Sequence, residues 1–396
     1  MISLLLVLGA PLLQAPLPDS LRLPEALTFA RTHRGAVLGA RASVAEARAV
    51  ARQLHALPNP TGGYTWNQSP PTHTAVLQQP FDWLLRRPAE AALGQAGISR
   101  ARADSARSLL DLEMEVRQAW YAALAVSRGR AVAEAQLGTA DSIVRVAARR
   151  FEAGDIARAE LERLRLEQAL ALQAASRARA AEGTARAALR RVLGWPDSLA
   201  WPALSGSLLD GLEAAPGMPM RAEALPEVES ALADSAAGTA ALRAARAARV
   251  PLPSLEVGRQ WGDPAATGGL WLVGVSLPLP LFDRGGSARD AAAARAAGAS
   301  AALHEARLEA DRRLATAGIE LTEAATRARV ARDSLLPGAA LLRTRAARAW
   351  ELGETGLLPL LDALRAEREI VAGALQDLLA FQEARAAWMA LGGVTE

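Results

Sequence analysis

Few of the side chains in this sequence are of a type and spacing that could do chemistry. The 396 residues contain no cysteine, which removes disulfides, thiol nucleophiles, iron–sulfur clusters, thiolate zinc sites and an acylated amino-terminal cysteine. The four histidines, His33, His55, His73 and His304, stand singly, with no pair at the helical or hairpin spacing of a zinc or copper site. Neither a metal centre nor any other cofactor is expected. No phosphate loop or nucleophile elbow occurs, and acids interspersed among arginines read as solvated helix faces, so an enzyme is the least favoured class.

The patterned residues are those of two chain reversals. Arg150-Phe151-Glu152-Ala153-Gly154-Asp155 recurs as Ala349-Trp350-Glu351-Leu352-Gly353-Glu354, an offset of 354 − 155 = 199. In each, an aromatic is followed three residues later by glycine and then by an acid. Glycine there supplies a positive φ or a close backbone approach at a helix end. Gly356 in the second copy faces Ala157 in the first, so the two reversals are expected to be inequivalent. The same offset carries Leu161 onto Leu360, Leu164 onto Ala363 and Gly194 onto Gly393. The chain is therefore two copies of one unit: residues 16–194, a connecting segment 195–220 with little regular structure, and residues 221–396.

The elements that must position these turns follow in one order in both copies. The first has a helix from Pro24 to Ala56, strands Thr61 to Gln68 and Thr72 to Gln79, and a helical pattern from Pro80-Phe81-Asp82 to Arg150. About sixty helical residues make a rod of roughly 90 Å, too long for a globular core. The second has a helix from about Arg221 to Arg249, strands Ser254 to Trp261 and Leu270 to Leu279, and a long helix from about Ser287 to Trp350. Gly138 and Pro337, again 199 apart, weaken the two long helices about four turns before the reversals and are hinge candidates, or else mark a fixed bend. Each unit closes with a return helix whose heptad core positions are mostly apolar and often alanine, which implies closely packed, supercoiled pairs.

Aromatic residues make up only 4% of the chain against 51% hydrophobic, and the 45 basic residues, all arginine, nearly balance 42 acids. Long helices meeting through small side chains fit that composition better than several globular domains. Interspersed charge argues against nucleic acid. Residues 1–15 read as a secretory signal, the alternative being an apolar tail. No later stretch is long and apolar enough for a transmembrane helix. Four strands cannot close a barrel and would expose edges, but three copies give 3 × 4 = 12 strands, within the range of outer-membrane barrels. The alternative is a small soluble sheet on a periplasmic coiled-coil scaffold.

From about Leu21 to Gly393 the chain resembles the TolC-like outer membrane factors, nearest to the cobalt-zinc-cadmium resistance type. The resemblance rests on Phe151 to Ile156 with Leu161, on Trp350 to Glu354 with Leu360-Leu361-Asp362-Ala363, and on Ser276-Leu277-Pro278-Leu279-Pro280-Leu281-Phe282-Asp283-Arg284. It implies a mainly α fold with a β-barrel portion: antiparallel coiled-coil helices in a duplicated unit, with four strands per chain in a trimeric 12-stranded barrel. It further implies a homotrimer in outer-membrane lipid with a long periplasmic extension. Its partners would be a periplasmic adaptor (membrane fusion) protein and an inner-membrane pump of the resistance-nodulation-division type. Phe151, Gly154, Asp155, Ile156, Trp350, Gly353, Glu354 and Gly356 would form adaptor-docking tips. Asp362 would be an inward-facing entrance carboxylate, or else an exposed helix-start residue paired with Arg365. The implied role is a passive efflux duct, possible cargo including heavy-metal cations.

Overall fold

Alanine-rich repeats without internal stops fold into helices whose length exceeds any globular radius, and the chain arranges them as two hairpins sharing one sheet. The computed structural model describes residues 20–214, 221–265 and 268–392; the expected signal segment 1–15 and Gly393 lie outside the described residues. A short strand β1 (Ser20–Leu21) leads into α1 (Leu23–His33) and α2 (Gly35–His55), then β2 (Thr61–Trp66) and β3 (His73–Pro80). The 70-residue α3 (Trp83–Glu152) follows, about 105 Å long at 1.5 Å per residue. It reverses into α4 (Arg158–Leu193). After β4 (Ala203–Leu204), the second half repeats the order with α5 (Pro226–Ala247), β5 (Ser254–Trp261), β6 (Leu270–Ser276), α6 (Gly286–Val330), α7 (Leu336–Glu351) and α8 (Leu357–Ala390).

Helix α3 packs against α2 over one part of its length and α4 over another, and α5 and α8 divide α6 and α7 in the same way. Small residues set the spacing. A Cβ added at Gly94 would lie 3.0 Å from the Cβ of Ala51, and one at Gly238 would lie 3.0 Å from the Cα of Ala296, so the α2–α3 and α5–α6 backbones approach as only glycine permits.

Two expectations are corrected and a third is sharpened. The helix expected over Pro24 to Ala56 breaks at Arg34, whose backbone is extended (φ −79°, ψ 123°). There the Arg34 guanidinium donates to the Arg191 carbonyl at 3.2 Å, so the break is where the end of α4 abuts the α1–α2 pair. The connector has little regular structure, as expected, but it is packed rather than loose: its two-residue β4 pairs in parallel with β1, and Trp195, Leu208 and Leu212 are buried in the main core with Trp120 and Phe381. Buried Gln382 of α8 holds it through its Nε2, donating to the carbonyls of Leu208 (2.8 Å) and Asp210 (2.9 Å). Finally, β6 stops at Ser276 rather than Leu279, because Pro278 and Pro280 have no N–H for a ladder.

Candidate functional site: two helix reversals and an amphipathic sheet

At the end of α3 the Asp155 N–H donates to the Arg150 carbonyl (2.8 Å) and the Gly154 N–H to the Phe151 carbonyl (3.0 Å). At the end of α7 the Glu354 N–H donates to Ala349 (2.9 Å) and the Gly353 N–H to Trp350 (3.1 Å). Both are Schellman caps, in which the residue after the helix must be left-handed. Gly154 (φ +82°) and Gly353 (φ +74°) supply that conformation. The backbone of the two turns is closely alike, so the Ala157/Gly356 difference is not what makes them inequivalent: Ala157 (φ −76°, ψ 152°) and Gly356 (φ −74°, ψ 179°) both act as extended N-caps. Gly356 thus adopts a φ open to any residue.

The difference between the turns lies in the side chains. Trp350 is 2% exposed and Phe151 is 39% exposed. Trp350 sits in a core built by all four helices, with Ile143 and Ala147 of α3, Leu161 and Leu164 of α4, and Leu357, Leu360 and Leu361 of α8. Ile156 packs on its margin. Arg150 closes it: Nη1 donates to the Trp350 carbonyl (2.8 Å) and the guanidinium lies 5.2 Å from the indole centroid. The two reversals of one chain are therefore a single packed unit. Asp155, Glu354, Leu352 and Leu358 stay exposed around it.

About three turns further from the tip, buried Glu167 of α4 accepts from Arg365 (3.0 Å) and Arg368 (2.8 Å) of α8, joining the hairpins. Burial pushes its carboxyl up, but the hydrogen bonds from Arg368 and Arg365 outweigh burial and hold it below the usual value of 4.5. This ion triad was not foreseen, because only tertiary packing brings positions 167 and 365 together. Arg365 is committed there, so the expected Asp362–Arg365 pair does not form; Asp362 is exposed and has no ion-pair partner among the described residues. Gly138 lies inside unbroken α3. Before Pro337 the helix widens into a π turn, Ala331–Leu335, which accommodates the missing proline N–H and the clash with the carbonyl of residue 333.

At the far end, the four strands pair antiparallel in the order β2-β3-β5-β6. The register sorts residues by face. Gly62, Leu77, Val257 and Val273 form one row, and Tyr64, Ala75, Arg259 and Trp271 the next row on the same face. Tyr64, His73 and Trp261 cluster at the end nearest the hairpin turns, and the Tyr64 hydroxyl and His73 Nδ1 are 2.8 Å apart. Val273 and Val275 are each 72% exposed. The opposite face carries Thr61, Thr65, Thr74, Gln78 and Gln260. Strands of up to eight residues span about 26 Å, and the outer edges of β2 and β6 are unpaired. Among the described residues no helix is long and apolar enough to cross a membrane. Among the described residues no group of three His, Cys, Asp or Glu could hold a metal ion.

An apolar sheet face bounded by an aromatic cluster, carried on helical hairpins of about 100 Å, defines the class as an outer-membrane protein with a long periplasmic extension. The chain is 30% identical over 329 residues to the nickel-cobalt-cadmium resistance protein NccC of Alcaligenes xylosoxydans xylosoxydans, covering 78% of this chain and 72% of that relative. It is 26% identical over 326 residues to the cobalt-zinc-cadmium resistance protein CzcC of Cupriavidus metallidurans, covering 79% and 76%. In fold it matches the crystal structure of CusC with a TM-score of 0.79 at 19% identity, over 94% of this chain and 92% of that one. No family model matches. The chain belongs to the TolC-like outer membrane factors, near the heavy-metal resistance type, whose members lie in the outer membrane and extend into the periplasm as helical hairpins.

Proposed function

We propose that three copies of this chain form a passive export duct, the outer-membrane component of a tripartite efflux system that carries divalent heavy-metal cations. The carrying observation is the four-stranded sheet, apolar on one face and polar on the other, with two free edges. Joining β2 of one copy to β6 of the next removes every edge at twelve strands, with the apolar face toward lipid and the polar face around water. The nickel, cobalt, zinc and cadmium named for the relatives suggest the cargo. The duct itself supplies no energy and no covalent chemistry.

In this reading the glycine reversals are the periplasmic tips. Phe151, Gly154, Asp155 and Ile156, with Trp350, Gly353, Glu354 and Gly356, receive the helical hairpins of a periplasmic adaptor, which links the duct to an inner-membrane pump of the resistance-nodulation-division type. Asp362 contributes one of three carboxylates at the tunnel entrance, and the helices yield near Gly138 and Pro337 when the entrance widens. The test is expression in a Gram-negative host, with membrane fractionation and crosslinking. A crosslinked trimer in the outer membrane, and loss of nickel, cobalt or cadmium tolerance on deletion, are expected. A monomer in the soluble fraction would refute the duct.

A further inference from the structure

The polar face of the sheet is nearly free of charge. Register puts Thr61, Gln78, Glu256 and Gly274 in one row across the four strands, on the face opposite the Val257–Val273 row. Among the described residues of the sheet's polar face, Glu256 is the only ionisable side chain. The one arginine of the sheet, Arg259, lies on the opposite face, where Nη2 donates to the Gly268 carbonyl at 2.6 Å and the guanidinium stands 5.8 Å from the Trp271 ring centroid. Cation and anion are thus on opposite faces, three rows apart along β5.

Glu256 has no ion-pair or hydrogen-bonding partner for its carboxylate among the described residues. The carboxylate leans over bare backbone: a Cβ built on Gly274 would lie 3.6 Å from Oε2 and 3.8 Å from the Glu256 Cβ. An unpaired carboxylate on an otherwise uncharged surface is costly unless water or mobile cations reach it. Glu256 is two residues from the start of β5, about 7 Å along the strand from its first residue. Asp362 stands beyond the whole length of the long helices, on the order of 100 Å away.

We infer that Glu256 faces the water-filled lumen of the barrel and, repeated three times around it, forms a ring that favours cations at the membrane end of the duct, separate from the entrance at Asp362. This rests on the trimeric duct reading. The carboxylates act through their field rather than by binding one ion jointly, and a field of three charges in a confined pore biases cations over anions even where salt screens at about 8 Å.

Two measurements test it. The first is the reversal potential of the purified full-length protein in planar bilayers under a potassium chloride gradient, with Asp362→Asn as background so that the entrance does not mask the barrel. Glu256→Gln is expected to lower the cation-to-anion permeability ratio roughly twofold, and Glu256→Arg to lower it further. A ratio unchanged by both substitutions overturns the inference. A protein that forms no pores in any variant removes the duct reading instead. The second uses the absence of native cysteine: Glu256→Cys in outer-membrane vesicles should react with a charged, membrane-impermeant thiol reagent, and Val257→Cys should not. The reverse pattern would put Glu256 on the lipid side and overturn the inference.

Discussion

Replacing Glu167 with glutamine removes the charge that ties α4 to α8. The structure divides the cost between two arginines. The Arg368 bond is 2.8 Å and its side chain 28% exposed, whereas Arg365, at 3.0 Å, is 59% exposed and largely solvated. A charge-assisted bond to a mostly buried carboxylate contributes about 1.5 kcal/mol and a solvated pair about 0.5, so Glu167→Gln should cost about 2 kcal/mol. That corresponds to roughly 30-fold faster amide exchange by local opening in the turns of α4 and α8 around residues 167 and 365–368, with the sheet unaffected. Arg368→Gln should give roughly tenfold and Arg365→Gln roughly twofold. Because the folded carboxyl titrates below its unfolded value of 4.5, its stabilisation is complete above that pH and is lost as pH falls through the folded value. The exchange ratio of variant to wild type, taken at matched pH, should therefore fall toward one in acid below pH 4.5. A ratio near one at pH 7, or one that does not decline as the pH is taken progressively below 4.5, would refute the reasoning.

Gly154→Val and Gly353→Val each force a branched residue to a positive φ, at about 1–2 kcal/mol each; trimer and membrane insertion should survive while adaptor-dependent export, read as metal tolerance, is lost. Gly356→Ala should change stability by less than about 0.5 kcal/mol, because a Cβ there meets nothing within 4 Å; thermal unfolding in detergent checks it. In the same assay Trp350→Ala should cost about 3–5 kcal/mol and Phe151→Ala under about 1 kcal/mol. Val273→Arg on the apolar face should cost about 2–4 kcal/mol of insertion near mid-membrane, and Gln260→Arg on the other face should be tolerated; recovery in the outer-membrane fraction separates them.

The backbone plan was largely legible because it rests on local rules. Gly154 and Gly353 occupy the caps that their spacing announced, and the alternation of Leu255, Val257 and Trp261 against Glu256 and Gln260 is the face assignment of the strand. What escaped the sequence depends on long-range packing. Gly35 weakens the helix beside Arg34, but a single glycine is often tolerated inside a helix; the break answers the end of α4, more than 150 residues later. Connector residues 195–214 are irregular as read; what the sequence did not show is that they are packed, by Gln382 and the buried Leu208 and Leu212. The pairing of Arg150 with Trp350 had one visible trace, since the repeat offset turns Arg150 into Ala349 and so marks it as peculiar to the first copy.

That asymmetry bears on how a duplicated chain meets its partners. Two turns with one backbone would offer an adaptor six equivalent places around a trimer. Here Arg150 reaches from the first turn to cap and cover the aromatic of the second, which leaves Phe151 with Leu352 and Leu358 as the accessible apolar groups. Burying an exposed aromatic gains free energy on docking, whereas a Trp350 already in the core has none left to contribute. If the tips receive an adaptor as proposed, the two turns should differ in affinity although their glycines are interchangeable in conformation. The tip core also contains residues of both hairpins, so a partner that shifts one turn moves the other through Arg150 and Trp350 rather than acting on it separately.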